Sequence, residues 1–279
     1  MRSDNLGIDF LSVFGLNPVE LIGLAAELGC RNISIGLVPF PINPHGYSHW
    51  SLREDEALRR DLVAATREKG VSLALGEVFL VRPGVDLRDA AADLDLMREL
   101  GVRRVNVLSI DPDLERSFDQ LALFAEMSDS RGLQTTLEFG PRLAVSTLQA
   151  ALAAVRHVGR PSFRLLIDTM HLVRSGGSAS DLAALDPGLI GYMQLCDVPL
   201  VSRFEEYMDE ARFERLAPGK GELPLLDLVR ASPPDVVFGL EIPMLASAKA
   251  GLGPRERLAP CVEAARRLLD EADAAPTAR

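Results

Sequence analysis

The sequence predicts an α/β chain, a single-domain (β/α)8 barrel, on three observations. Eight short apolar runs recur along its 279 residues. Amphipathic stretches alternate with them, which implies a parallel sheet covered by helices. The length is near the roughly 250 residues of one such barrel. The competing architecture, an open doubly wound sheet, would show a glycine-rich fingerprint after its first strand. Here that strand runs into VFGLNP, which does not match.

The strands expected are Ile8–Val13, Asn32–Leu37, Ser72–Val78, Arg104–Leu108, Leu133–Glu138, Arg164–Asp168, Ile190–Leu195 and Val236–Glu241. They are apolar nearly throughout, as strands buried on both faces should be. After the first comes PVELIGLAAELG, with Pro18 behind Asn17 at the helix start and Gly29 near its end. EDEALRRDLVAATREKG places acids first and bases last, matching the helix dipole. DLRDAAADLDLMRELG, SFDQLALFAEMSDSRG and TLQAALAAVRHVG read as helices of the same kind. RSGGSASD reads as a loop ending in a helix cap, and Asp197 as a helix cap. A last helix spans Pro254–Ala274, with a polar tail from about 275; one domain covers 1–279. Two long connections, Val38–Arg53 and Asp197–Gly221, follow strands two and seven on the C-terminal face. Long loops there serve as lids or substrate walls, and these two also offer a contact for a homodimer.

The charge balance, −10, argues against a nucleic-acid partner, which needs a basic stripe. No apolar run approaches the roughly 20 residues of a membrane helix, and MRSDNLGIDF has no apolar core of a signal peptide. Cys30, Cys196 and Cys261 form no metal or disulfide pattern and read as free thiols in a reducing cytoplasm.

Chemistry enters with four polar residues that each close an apolar run: Glu138 in TTLEFG, Asp168 in RLLIDTMH, Gln194 in GYMQLCD and Glu241 in VFGLEIP. Barrel strand ends converge on the catalytic face. Three acids and an amide gathered there would repel one another without a cation. Their oxygens favour a hard divalent ion, Mn²⁺ or Mg²⁺ with Co²⁺ as a substitute, over Zn²⁺. Three carboxylates exceed the ion's charge by one, which leaves one free to act as base. Asp168 could equally cap the helix that follows. His171, three residues after Asp168, suits a proton donor or a hydrogen bond to a substrate oxygen. Glu77, read as ending strand three, and Arg215 are candidates for substrate contact, as are His45 and His49 in the strand-two loop. His157 reads as a surface cation at a helix end. Lys220 lies in a GKG turn that lacks the rest of a phosphate loop.

From LEFG through IDTMH and MQLCD to LEIP, and in ERLAPGKGELPL, the chain resembles the xylose-isomerase-like TIM-barrel superfamily of sugar phosphate isomerases and epimerases. The resemblance implies metal ligation by Glu138, Asp168, the strand-seven residue and Glu241, with His171 as the conventional histidine. Many ketose epimerases carry histidine where this chain has Gln194, and a second Glu shortly after the first; here FGPRLAVS follows Glu138. Glutamine at that position resembles the 3-dehydroshikimate dehydratase branch. The endonuclease branch needs more histidines than the four present.

The expectation is therefore a metal-dependent isomerase or epimerase acting on a small polyhydroxylated carbonyl substrate. Glu138 and Glu241 would flank the carbon that loses its proton, with the metal stabilising an enediolate. The alternative is a lyase that dehydrates a cyclic keto acid, with Arg215 on the substrate carboxylate and His171 as proton donor. A third reading is a non-catalytic binding barrel.

Overall fold

A computed structural model describes residues 1–274. Eight parallel strands close in chain order: β1 Leu6–Ile8, β2 Asn32–Gly36, β3 Ser72–Val81, β4 Arg104–Ser109, β5 Gln134–Glu138, β6 Phe163–Asp168, β7 Ile190–Leu195 and β8 Phe238–Leu240. β1 pairs with both β2 and β8, so the barrel has no free edge. The expected (β/α)8 single domain is what forms. The expected polar tail lies outside the described residues.

Three strands differ from expectation by more than one residue, and β2, β4, β5 and β6 by one. The first strand stops at Ile8, and Phe10–Val13 is a 3-10 turn. Its apolar composition resembles a strand, but Asp9 accepts from Ser12 N at 3.0 Å through its backbone oxygen. Ser12 Oγ then donates to Leu240 O at 2.8 Å, fastening the turn across the β8 end. β8 is shorter than Val236–Glu241, so Glu241 stands just past it. β3 instead runs on to Val81, which puts Glu77 inside the strand rather than at its end.

The helices follow their caps. Asn17 accepts from Val19 N at the start of Pro18–Glu27, and Asp55 accepts from Leu58 N at the start of Glu56–Lys69. Ser178 caps Ala179–Ala183 as the RSGGSASD reading expects. The last helix spans Pro254–Ala274. The apolar side chains of the strands and the inner helix faces form one main core, and all three cysteines are free and buried. Among the described residues no helix is long and apolar enough to cross a membrane.

Register sets the height of the polar residues. Asp168 on β6 pairs with Gln194 on β7, and Gln194 with Gly239 on β8. Glu138 is level with Leu166, two residues before Asp168. Gly36 is level with Glu77 on the opposite side.

Candidate active site

Asp168 serves both readings the sequence allowed. Its Oδ1 accepts from His171 N at 2.8 Å and so caps the helix Thr169–Arg174. Its Oδ2 accepts from Arg215 Nη1 at 2.5 Å inside the barrel. Arg215 reaches this point from the long loop after β7. Its backbone N–H donates to Pro243 O and its Nε to Ala211 O, both at 2.8 Å. Its Nη2 meets Glu241 Oε2 at 2.8 Å. One guanidinium, 2% exposed, thus bridges two carboxylates. Gln194 Nε2 donates to the other oxygen of Glu241 at 3.0 Å.

Glu138 is held differently. Its Oε2 accepts from Asn106 Nδ2 at 2.6 Å, while its Oε1 lies 3.5 Å from His171 Nε2. The other ring nitrogen of His171, Nδ1, is 2.5 Å from the Tyr207 hydroxyl. The ring packs so closely over Gly140 that a Cβ there would come within 2.8 Å of it, so the glycine of LEFG makes room for the histidine.

Asp197 is not a helix cap. Its Oδ1 accepts from Val198 N at 2.9 Å and Leu223 N at 3.1 Å, and its Oδ2 from Gly219 N and Gly221 N at 2.9 Å. A buried carboxylate can take several backbone donors at once. Here it folds the APGKGEL turn against the end of β7, and this anchors the loop that delivers Arg215.

On the β1–β3 side lie Asp9 and Glu77, both buried. Asp9 Oδ1 accepts from Tyr192 OH at 2.7 Å. Asp9 Oδ2 and Glu77 Oε1 have no hydrogen-bond partner. Burial pushes the Asp9 carboxyl up to about 6, against the pull of Tyr192, Gln194 and Ser34. Burial raises Glu77 well above the carboxylate range, and the Asp9 charge adds to the rise.

The other half behaves differently. Burial would raise Asp168, but the Arg215 and His171 charges and its hydrogen bonds hold it below its ordinary value. Arg215 is the mirror case: burial disfavours its charge, and Asp168 and Glu241 more than restore it. Glu241 is pushed well up by burial; Arg215 pulls it down, while Glu138, Asp168 and Glu77 add to the rise. Burial, then the charge of Asp168, raises the Tyr207 phenol.

The structure therefore brings Glu138, Asp168, Gln194, Glu241, His171 and Arg215 together, with Glu138 joined by its 3.5 Å approach to His171 and the others by hydrogen bonds or ion pairs. Glu77 faces the same interior, feeling the charges of Glu138 and Arg215. His45 lies elsewhere: its ring is 5.3 Å from that of Tyr47, and the charge it feels is that of Arg257 on the last helix. His49 is exposed. His157 sits on the surface at 3.0 Å from Asp119.

Asn106, Tyr207 and the Asp9–Tyr192 pair were not singled out from the sequence. Asn106 and Asp9 carried a signal, each being a polar residue within an apolar run. Tyr207 carried none, because its place depends on how the long loop folds.

Among the described residues, no three acids or histidines gather into a ready metal cage. Arg215 draws Asp168 and Glu241 to itself instead. The donor set still suits a hard cation. All its atoms are oxygens, and Gln194 Oε1 is buried without a partner.

A closed parallel barrel with acids, a histidine and an arginine at its C-terminal mouth defines an enzyme-type TIM barrel. Residues 22–259 match the xylose isomerase-like TIM barrel family, and the chain belongs to it. It is 30% identical over 173 residues to a 3-dehydroshikimate dehydratase of Pseudomonas aeruginosa, covering 58% of this chain. That relative is far longer, and the match spans 26% of it. Among solved structures, the IOLI protein with a bound zinc atom superposes with a TM-score of 0.75 at 17% identity, covering 96% of this chain and 97% of that one. D-psicose 3-epimerase from Clostridium cellulolyticum H10 superposes with a TM-score of 0.68 at 18% identity, covering 96% and 98%. These two share the fold.

Proposed function

We propose that this chain removes a proton next to a carbonyl and completes the reaction by expelling water, as a dehydratase of a cyclic keto acid. The observation that carries the first half is the setting of Glu138. Of the three acids it alone is held by no guanidinium, and its Oε1 faces His171 while Asn106 fixes Oε2. It is the base. Asp168 and Glu241 are tied to Arg215, and Asp168, held below its ordinary value, acts as fixed negative charge.

Glu138, Asp168, Gln194 and Glu241 would hold a divalent ion, Mn²⁺ or Mg²⁺ with Co²⁺ as a substitute. When bound, such an ion supplies Lewis-acid polarisation of the carbonyl. Glu138 takes the proton beside the carbonyl. His171 gives a proton to the departing β-hydroxyl, which leaves as water, and a second double bond forms in the substrate. Glu138 then returns its proton to His171 across their short gap, restoring both groups. Tyr207 holds the imidazole in place through Nδ1, which fixes Nε2 as the working atom. Arg215, expected from the sequence to meet a substrate carboxylate, is 2% exposed and neutralises Asp168 and Glu241 instead. Gln194 and the curated dehydratase relative both support water loss over proton return.

Epimerisation or isomerisation of a ketose shares the first step and is the second reading. It is favoured by the raised pKa of Glu241, which would let a second carboxyl carry the proton back at another face or position.

Metal-supplemented protein incubated with 3-dehydroshikimate, and separately with a ketose panel, tests both by mass spectrometry. Loss of one water from the keto acid is expected. A product of unchanged mass from a ketose would establish the second reading instead. Glu138→Gln should lower kcat by about 10²–10⁴-fold with an unaltered thermal unfolding curve. Undiminished turnover in that variant would remove Glu138 as base.

A further inference from the structure

The opposite mouth of the barrel carries a second polar site, which this reaction does not use. Arg104 opens β4, and Arg164 and Gly191 stand second in β6 and β7. They line one cleft of about 310 Å³ with the segment leading into β8. Arg104 lies with its guanidinium carbon 5.9 Å from the centre of the Tyr192 ring. Its Nε and Nη1 are buried and have no hydrogen-bond partner. Arg164 makes one long bond, from Nε to Pro161 O at 3.4 Å. Neither arginine forms an ion pair among the described residues. Asp235 is the one acid on the cleft wall; it is exposed and pairs with neither.

Arg104 is half-buried, and guanidinium nitrogens buried without a partner are unfavourable unless an anion or acceptor meets them. Burial lowers the Arg104 pKa; Tyr192 opposes the fall, and the charges of Arg103 and Arg164 add to it. A single bound anion would relieve all three effects. Gly191 is closely packed: a Cβ there would come within 2.9 Å of Thr136 and 3.0 Å of Arg164 Cβ, so a larger residue would shift the Arg164 side chain. The planar fork of arginine matches carboxylate and phosphate oxygens. The cleft volume is at the small end for a metabolite site.

We propose that the N-terminal cleft binds a small oxyanion, a carboxylate or phosphate, through Arg104 and Arg164. The site is separate from the catalytic mouth and does not depend on the reaction assigned there.

The test is thermal unfolding of the full chain in sodium phosphate and in sodium succinate, each against sodium chloride at equal ionic strength. Arg215→Gln is run beside the wild type, because its guanidinium is the other buried anion attractor. The expected result is a saturable rise in Tm with at least one anion, and the anion that acts identifies the class. The rise persists in Arg215→Gln, and Kd increases at least about tenfold in Arg164→Gln, the loss of one charge-assisted bond. Arg104→Met should show no response to the anion, yet match or exceed the wild-type Tm in chloride, because it deletes a charge buried without a partner. If Arg104→Met does not fold, Arg164→Gln decides alone. No saturable rise, an unchanged Kd in Arg164→Gln, or a response abolished by Arg215→Gln would each overturn the proposal.

Discussion

The two halves of the barrel interior pair their buried acids differently. Across β6–β8, Asp168 and Glu241 share the Arg215 guanidinium. Across β1–β3, Asp9 and Glu77 have no cation beside them, and each keeps an oxygen without a partner. Burial alone raises a carboxyl pKa, and a neighbouring cation reverses the effect. Asp168 is accordingly held below its ordinary value, burial keeps Glu241 raised despite the same guanidinium, and Asp9 is pushed up to about 6. In the first half, Asp168 keeps its negative charge beside Arg215. In the second half, Asp9 and Glu77 have no ion-pair partner among the described residues, and burial raises both.

The sharpest way to break this contrast is to remove its cause. Arg215→Met leaves Asp168 and Glu241 buried and unpaired, and breaking a buried pair costs about 3–5 kcal/mol. Denaturant unfolding of metal-free protein should show that loss at neutral pH. A loss below about 1 kcal/mol would mean that the guanidinium does not neutralise this half.

Asp9→Asn probes the other half and has the opposite sign. With its pKa raised from 3.8 to about 6, Asp9 binds its proton more tightly in the folded state. The resulting stability is fully present below pH 3.8 and is lost as pH rises through about 6. The shift corresponds to about 3 kcal/mol at most. Metal-free Asp9→Asn should therefore lose this downward slope between about pH 4 and 6 and gain stability over the wild type at pH 7. An unchanged pH profile would show that Asp9 is satisfied in some other way.

The smallest effect is expected at the junction of the halves. Tyr207→Phe removes one hydrogen bond to His171, worth about 1 kcal/mol. Turnover should fall by roughly tenfold or less, through kcat more than KM. A larger loss in KM would place Tyr207 on the substrate rather than behind the histidine.

Most of the frame was legible beforehand. Eight apolar runs and their caps gave the barrel, because burial on both faces and helix capping are local demands. The positions of Glu138, Asp168, Gln194 and Glu241 at run ends followed from the same logic. The misplacement of β1 shows the limit: IDFLSV has strand composition, yet Ser12 is bonded to Leu240, 228 residues away. Asp197 looked like a helix cap because the sequence does not show that the APGKGEL turn folds back on it. His45 and His49 shared a loop with no periodicity to place them.

The sequence by itself determined the chain's class and which acids stand at the C-terminal mouth. Alternation and strand-end position depend on near neighbours and on the closure of a parallel sheet. Only the tertiary structure decided how those acids are paired. Arg215 arrives from a loop held by Asp197, and Tyr207 from the same loop. Asn106 reaches Glu138 from the adjacent strand, and Arg104 is left facing the far mouth without a partner. These are contacts between residues distant in the chain, and side-chain charge is set by what folding brings within a few ångströms.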